Sequence, residues 1–249
     1  MPTLPPRRLL AMPPIRFQTT RWTLVLRAAD RHSIDGRKAL AEMLELYWYP
    51  LYGYLRRQGY DSHEAEDLLQ AFIARILEKD LFQDVAAGRG RFRNFLLVSL
   101  RRFAASAQER ASARKRGGQS AIYSFDIHDA DRRYASDPAH ELTAERLFDR
   151  AWALELLHQA LARLNESWET ADKARVFKSL KGFLLPQRGE GSYRDVADQL
   201  GMTEGAVKTA VHRLRAQFRQ ILCDQVAATL DRDELLEDEI HRLFAALRA

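Results

Sequence analysis

The pattern of apolar and polar positions in residues 192–222 predicts two helices joined by a short turn. Gly201 can adopt the left-handed conformation that ends a helix, and Thr203 is a favoured N-cap for the next one. In the second helix, apolar residues recur at alternating spacings of four and three, which predicts a stripe that packs on a neighbour. The stripe consists of Val207, Val211, Leu214 and Phe218. This order of elements predicts a helix-turn-helix, a motif that many proteins use to read DNA.

Helical periodicity also dominates the first half of the chain, where strand-like alternation is nearly absent. In residues 37–57 one apolar face carries a run of aromatic residues, which predicts core packing because aromatic residues at helical spacing usually fill cores. Pro50 predicts a kink or a restart of this helix, and Gly59 predicts its end. Asp61 and Glu64 have the spacing of a capping box and predict the start of a second amphipathic helix.

A third helical segment, in residues 88–118, is strongly basic. Nine lysine and arginine residues stand there against one acid, Glu109, which gives a local charge of +8, while the whole chain carries +5. Phenylalanine residues are interleaved with these bases. Dense positive charge with aromatic residues is typical of a groove that follows a nucleic-acid backbone and stacks its bases. The pattern favours nucleic-acid contact, although each phenylalanine by itself is more readily explained as a core residue.

Together these patterns predict an all-α protein with two small helical domains joined by an irregular linker. Residues 119–141 show no sustained period and have an acidic bias, which is typical of a linker. After the helix-turn-helix that ends the second domain, one more amphipathic helix, with acids on its polar face, is expected to pack on the bundle. The predicted divisions are a flexible tail at 1–20, a first domain at 21–116, a linker at 117–141, a second domain at 142–228 and a carboxyl-terminal helix at 229–249.

Composition narrows the classes of function. The net charge of +5 favours an anionic partner, and the single cysteine, Cys223, excludes an internal disulfide and fits a reducing cytoplasm. No stretch approaches the roughly 18 apolar residues that span a membrane. Phosphate-binding glycine loops and the sequence motifs of metalloproteases and serine hydrolases are missing as well. We therefore expect a cytoplasmic protein with no catalytic activity, no cofactor and no metal.

The order of these parts resembles bacterial RNA polymerase sigma factors, most closely the small extracytoplasmic-function class. The similar stretches are HEAEDLLQAFIARIL, then GRFRNFLLVSLRRF and, after the linker, SYRDVADQLGMTEGAVKTAVHRLRAQF. The resemblance covers about residues 37–116 and 142–225. A helix-turn-helix alone is shared with many regulators, but its combination with AEDLLQ at this distance is specific. The long linker and the last helix depart from the minimal pattern of the class and bear on how such a protein is regulated.

The resemblance implies partners and contact residues for the first domain. RNA polymerase core and promoter DNA would be the partners, with an anti-sigma factor or a regulatory kinase as candidate regulators. Glu66, Asp67 and Gln70 match sigma residues that dock on the clamp of the largest polymerase subunit. In sigma factors, another segment melts the −10 element and captures its non-template strand. The residues that match this segment are Arg91, Phe92, Arg93, Asn94, Phe95, Arg101 and Arg102. The last two would hold the backbone, while Arg93 and Asn94 would shape a base pocket.

The −35 element would be read by the second helix of the helix-turn-helix, which should enter the major groove by its N-terminal half. The residues assigned to this contact are Thr203, Glu204, Gly205, Lys208, Thr209, His212, Arg213, Arg215 and Arg219. Glu204, Lys208, Thr209 and His212 are expected near bases. The three arginines are expected at phosphates, and Gly205 would allow the backbone to approach the DNA closely.

Two other functions remain open on the sequence alone. The first is a transcription regulator that binds duplex DNA without binding polymerase core, which leaves AEDLLQ and the basic aromatic helix without a role. The second is a sigma-like interaction adaptor that uses the carboxyl-terminal helix. Co-purification with polymerase core and promoter-dependent transcription would separate the three functions.

Overall fold

The fold is all-α throughout the residues that the structure, a computed structural model, describes: 34–78, 92–113, 127–136, 141–168, 171–184, 192–230 and 236–248. In chain order the helices are α1 Ile34–Arg57, α2 Ser62–Glu78, α3 Phe92–Ala113, α4 Ile127–Ser136, α5 Ala144–Glu166, α6 Ala171–Leu180, α7 Tyr193–Leu200, α8 Glu204–Ala227 and α9 Leu236–Arg248. A short 3-10 turn, Lys181–Phe183, follows α6. Within the described ranges, no helix is both long and apolar enough to cross a membrane.

Some of the predicted features fall on residues outside these ranges. They are the tail at 1–20, the linker residues 117–126 and 137–140, and Arg91 of the predicted −10 contact. The all-α class is confirmed for the described residues, which form helices and no strands.

The boundaries of the first two helices follow local signals in the sequence. Gly59, which follows α1, has a φ of 99°, a conformation that glycine adopts without strain. At the start of α2, the Glu64 amide donates to Asp61 Oδ1 (2.8 Å) and the Asp61 amide donates to Glu64 Oε2 (3.1 Å), so the predicted capping box is confirmed. The predicted restart at Pro50 is wrong, since α1 runs through this residue. Burial on both sides of Pro50 outweighs the one backbone hydrogen bond that proline cannot donate.

The first core draws on helices from both ends of the chain. It contains residues of α1, α2, α3 and α5, together with the end of α8 and α9. The ring of Tyr47 in α1 lies edge-on to Phe92 of α3, with centroids 5.4 Å apart, and stacks near Phe148 of α5 at 6.4 Å. Trp152 of α5 is fully buried in the same core. The aromatic run of α1 is thus a core element, as predicted.

This core crosses the division that the sequence predicts between two domains. The most extensive helix pairing joins α1, from the first predicted domain, to α5, from the second. Residues of both predicted domains therefore belong to one apolar core. Periodicity along the chain identifies an apolar face but not the partner that covers it, which is why the sequence did not reveal this pairing.

The predicted irregular linker contains a helix, α4. Its Ala130 is buried in the first core. Tyr52 of α1 donates from its hydroxyl to Asp131 Oδ1 (2.6 Å), and Arg56 pairs with the same carboxylate. Burial, together with the hydrogen bond to Asp131, raises the pKa of Tyr52 to about 12. The prediction of irregular structure is wrong here because contacts with residues far away in the chain, Tyr52 and Arg56, hold the short helix α4 in place.

A second, smaller core surrounds the two helices predicted in residues 192–222. It is formed by α6, the 3-10 turn, α7 and the N-terminal half of α8, with Leu164 at the end of α5. Gly201 follows α7 with a φ of 65°, and the Thr203 side chain accepts a hydrogen bond from the Ala206 amide (3.2 Å), so both predicted caps are confirmed. A capping box between Ser192 and Asp195 also starts α7, although the sequence analysis did not identify it.

The carboxyl-terminal helix α9 packs on the first core, as predicted. Leu243 is fully buried, and Ile240 and Leu247 pack against the same cluster. Glu239 is also fully buried on the inner side of α9. The prediction that the acids of this helix lie on its polar face is therefore wrong for Glu239, because this carboxylate pairs with Arg93 of α3 inside the protein.

Candidate nucleic-acid interface

The surface of α8 carries every residue predicted to contact the −35 element. All nine, from Thr203 to Arg219, are exposed, whereas Val207, Val211 and Leu214 on the other side of the helix are buried in the second core. The apolar stripe holds α8 against α6 and α7 and turns the polar and basic side chains toward solvent. The structure therefore brings the predicted residues together on the exposed side of one helix.

Lys208 is held by two neighbours at the N-terminal end of this surface. Its Nζ lies 2.7 Å from Glu204 Oε1 and 5.7 Å from the centroid of the Tyr193 ring. The hydrogen bond between the two charged groups lowers the pKa of Glu204 and raises that of Lys208. Both side chains are solvent-exposed, so the pair is weak and Lys208 can exchange Glu204 for an anionic partner at little cost.

Two of the predicted residues are partly engaged within the protein. Arg215 donates from Nε to the carbonyl oxygen of Phe183 (2.8 Å), which fastens α8 to the 3-10 turn. Thr209 donates from Oγ1 to the carbonyl oxygen of Gly205 one turn earlier (3.0 Å). The predicted phosphate contact of Arg215 is thus restricted to its terminal nitrogens, and the Thr209 hydroxyl must release its carbonyl before it can donate to a base.

Two further arginines lie beside this surface, and the sequence analysis did not assign them. Arg175 of α6 is exposed and donates from Nη2 to the carbonyl oxygen of Gln199 (3.0 Å), next to the turn between α7 and α8. Arg194 of α7 is exposed and close enough to Glu204 to lower the pKa of that carboxyl. Their contribution depends on how α6, α7 and α8 pack, a property that the spacing of residues in the sequence does not reveal.

The structure contradicts part of the predicted −10 contact on α3. Phe92 is fully buried in the first core, and Arg93 is 4% exposed. Phe95 is partly buried and packs on Phe92, with ring centroids 6.2 Å apart. These residues cannot line an open base pocket in this structure. The reason is that helical rotation turns Phe92 and Arg93 toward α1, α5 and α9, where apolar contacts hold Phe92 and the carboxylates of Glu239 and Asp149 hold Arg93.

The remaining predicted residues of α3 are exposed. Asn94, Arg101 and Arg102 lie on the solvent side of the helix, and Val98 between them is 43% exposed. Arg101 donates from Nε to the Tyr54 hydroxyl (2.8 Å) and pairs with Glu145 at the start of α5. Val98 was not among the predicted residues, although its position four after Asn94 and four before Arg102 places it on the same side of a helix. We call these four residues the α3 stripe.

The predicted polymerase-binding residues lie on α2. Asp67 is exposed, while Glu66 and Gln70 are half-buried and joined by a hydrogen bond from Gln70 Nε2 to Glu66 Oε1 (2.9 Å). The opposite side of α2 is buried through Ala65, Leu69 and Phe72 in the first core. These three polar groups thus lie outside the core, as predicted, and can contact a partner without disturbing it.

A single helix connects the α8 surface to the core that holds α3. With 24 residues, α8 is about 36 Å long. Its N-terminal half lies in the second core, and Leu222 and Val226 near its end lie in the first. The two basic surfaces are therefore carried on one connected helical framework. Comparison of the chain with protein-family models, curated proteins and solved structures found no match.

Proposed function

We propose that this protein is a sigma factor of the extracytoplasmic-function class, which binds RNA polymerase core and directs it to promoters. In this proposal α7 and α8 form a helix-turn-helix that reads the −35 element, and α3 contacts the single strand of the −10 element. Glu66, Asp67 and Gln70 of α2 provide the contact with polymerase core. The proposal rests on the sequence resemblance together with the exposure of the matching residues on α8 and of Asp67 on α2.

The observation that carries the proposal is the division of α8 into a buried apolar stripe and an exposed surface. A recognition helix must be held firmly on one side while the other side enters the major groove. The helix is held on its buried side by Val207, Val211 and Leu214. Its exposed side carries Lys208 and Arg213, which are available to DNA. The caps at Gly201 and Thr203 hold the helix start, which is the part expected to meet bases.

For the −10 element, the proposal uses the α3 stripe in place of the buried residues. Arg101 and Arg102 can contact phosphates, and Asn94 can donate to or accept from a base. Val98 adds an exposed apolar surface between them, against which an unstacked base can pack. Phe92 and Arg93 have no part in this contact while they remain buried.

Reconstitution with purified bacterial polymerase core tests the proposal directly. We expect the protein to co-purify with core and to support transcription from a set of genomic promoter fragments, at levels well above core alone. Asp67→Lys should weaken core binding, while Glu237→Lys, an equal charge change on an exposed residue of α9, should leave it unchanged. A folded protein that neither binds core nor starts transcription would refute the proposal.

A transcription regulator that binds duplex DNA without polymerase core is the second candidate. It is favoured by one observation, the burial of Phe92 and Arg93, which match the strand-capturing segment of sigma factors. Duplex binding without core binding in the same reconstitution would support this candidate over the first.

Replacement of Gly205 by alanine is expected to separate DNA binding from stability. A Cβ atom at Gly205 would meet nothing within 4 Å. The variant should therefore gain about 0.5–1 kcal/mol of stability, since glycine is unfavourable inside a helix. Its affinity for duplex DNA should fall if the backbone approaches the groove at this residue. Urea denaturation and fluorescence anisotropy measure the two effects, with Gly182→Ala as control, because Gly182 is equally open but lies off α8. Unchanged DNA affinity would remove Gly205 from the interface.

Replacement of Arg213 by alanine is expected to weaken duplex binding on all sequences. Arg213 is exposed on α8 and is assigned to a phosphate, so its loss should reduce the slope of log affinity against log salt by about one. Lys208→Ala should instead act mainly on preferred sequences, because Lys208 is assigned to a base. Salt titrations with a promoter fragment and a mixed-sequence duplex distinguish the two. The same salt slope in wild type and Arg213→Ala would contradict the phosphate assignment.

A further inference from the structure

Arg93 of α3 is the buried centre of an ionic cluster that joins three helices and in which Glu239 is buried and Asp149 is partly exposed. Its Nε lies 2.6 Å from Oε1 of Glu239 in α9, and its Nη2 lies 3.3 Å from Oε2 of the same carboxylate. Its Nη1 pairs with Asp149 of α5, and the guanidinium carbon lies 4.7 Å from the centroid of the Trp152 ring. Arg93 and Glu239 are the two charged side chains that are buried among the described residues.

The cluster keeps Arg93 charged inside the protein. Burial lowers the pKa of Arg93, but the hydrogen bond with Glu239 and the charge of Asp149 raise it more, so the net direction is upward. The stabilisation thus comes from carboxylates on α5 and α9, not from α3 itself. A buried guanidinium that loses its two-pronged partner is strongly destabilised where it lies and is driven toward water or another anion.

The two-pronged contact has the geometry in which arginine also binds phosphate. A guanidinium offers parallel N–H groups that fit two oxygens of either a carboxylate or a phosphate. Arg93 belongs to the segment in which nine bases stand against one acid, and the next residue, Asn94, begins the exposed α3 stripe. The Glu239 carboxylate therefore engages Arg93 through the same kind of paired N–H groups that a phosphate would use.

We propose that α9 masks a phosphate-binding position at Arg93, so that docking of α9 and binding of single-stranded nucleic acid along α3 exclude each other. This inference rests on the proposed role of α3 in strand contact. When α9 is docked, the protein binds a single strand weakly through the exposed α3 stripe alone. When α9 leaves, Arg93 keeps its contact with Asp149 but loses Glu239, so that Nε and Nη2 become available to the strand.

The position of α9 in the chain makes its release a local event. α9 is the last described helix, and it packs mainly on α5 and α8 while contributing Glu239 to α3. With 13 residues it is too short to be stable as an isolated helix, so its structure depends on docking. Docking of α9 and binding of a strand at Arg93 exclude each other, so their effects are reciprocal. A docked α9 weakens strand binding, and a bound strand weakens α9 docking by the same factor.

Glu239→Gln in the full-length chain tests the mask, with Glu237→Gln as the matched control. Both variants remove one negative charge from the same helix, but Glu237 is exposed and Glu239 is buried against Arg93. The probe is a fluorophore-labelled, mixed-sequence single-stranded DNA oligonucleotide. We expect Glu239→Gln to bind the oligonucleotide at least about tenfold more tightly than Glu237→Gln. The reason is that the apparent affinity is proportional to the fraction of molecules in which α9 is undocked. Amide hydrogen exchange in α9 should also be faster in Glu239→Gln.

A double variant assigns the gain to Arg93. In Arg93→Gln/Glu239→Gln the gain in affinity for the oligonucleotide should disappear. A gain that persists in the double variant would overturn the inference. Equal affinities of Glu239→Gln and Glu237→Gln would overturn it as well. If Glu239→Gln does not fold, Leu243→Ala loosens α9 from the first core without changing a charge and should also give a gain over Glu237→Gln. Equal affinities in that comparison would likewise overturn it. None of these measurements uses polymerase core. They can therefore show whether α9 masks Arg93 whatever the reconstitution with core shows about the proposed sigma function.

Discussion

Replacement of Trp152 by alanine is expected to lower the free energy of unfolding by about 3–5 kcal/mol. Trp152 is fully buried in the first core, and its ring also lies under the guanidinium of Arg93. Its removal leaves a large cavity that the surrounding helices can close only in part. Since small proteins are stable by about 5–15 kcal/mol in total, the loss is a large part of the stability of the fold. Urea denaturation followed by circular dichroism measures it.

The matched control for this prediction is Trp168→Ala. Trp168 is partly exposed and packs on the second core, and its indole nitrogen donates to Gln217 Oε1 (3.1 Å). We expect a loss of about 1–2 kcal/mol there. Because Trp152 joins α5 to α1, its replacement should also destabilise α1, which amide hydrogen exchange can follow. Exchange in α1 that is unaffected by Trp152→Ala would mean that the two predicted domains are stable separately.

Replacement of Arg93 by alanine is expected to cost about 3–5 kcal/mol as well. The physical reason differs from a cavity, because the loss of the guanidinium removes the two-pronged ionic contact that the fully buried Glu239 carboxylate makes. Removing both charges should be much less harmful, so Arg93→Met/Glu239→Leu should recover most of the loss. Chemical denaturation of Arg93→Met, Glu239→Leu and the double variant gives the coupling energy of the pair.

A surface pair provides the comparison for this second prediction. Arg101 and Glu145 also join α3 to α5, but both side chains are about half exposed, at 45% and 47%. Arg101→Ala should therefore cost at most about 1 kcal/mol, because solvent screens an exposed ion pair. Equal costs for Arg93→Ala and Arg101→Ala would contradict the conclusion that burial makes the Arg93 cluster important. Arg93→Lys is not expected to restore stability, since an ammonium group cannot form the two-pronged contact.

Trp152→Ala and Arg93→Ala change neighbouring residues at the junction of α3, α5 and α9. This junction contributes to stability and holds the arginine that α9 is proposed to mask. Trp152 and Arg93 are in contact, and Arg93 joins α3 to α9. A change that loosens this region should lower stability and, if α9 masks Arg93, raise affinity for single-stranded DNA. A loss of stability from replacing Trp152, which leaves the Glu239 contact chemically intact, should raise that affinity less than Glu239→Gln does.

Local structure was readable from the sequence because its causes are local. The left-handed turn at Gly201, the N-cap at Thr203 and the capping box of Asp61 and Glu64 depend on residues within three or four positions of each other. The exposed surface of α8 was predictable for a similar reason. An apolar stripe at spacings of four and three must be buried, so the polar residues between its members must face water.

Helix α4 and the burial of Arg93 were not readable in this way. Helix α4 has only ten residues, and it is held through contacts with Tyr52 and Arg56, far away in the chain. A charged residue in a basic segment is normally exposed, and it becomes a core residue only where carboxylates meet it. The carboxylates that meet Arg93 come from residues 149 and 239, and no spacing in the sequence associates them with residue 93.

The sequence by itself determined that the described chain is helical, where its caps lie and which side of α8 is exposed, because hydrogen bonds and amphipathic periods act over a few residues. Only the tertiary structure decided that α1 packs on α5 across the predicted linker. It also decided that Phe92 and Arg93 of the basic helix turn inward while Asn94, Arg101 and Arg102 turn outward. These choices depend on which apolar faces and which opposite charges meet in space, and residues distant in the chain supply both.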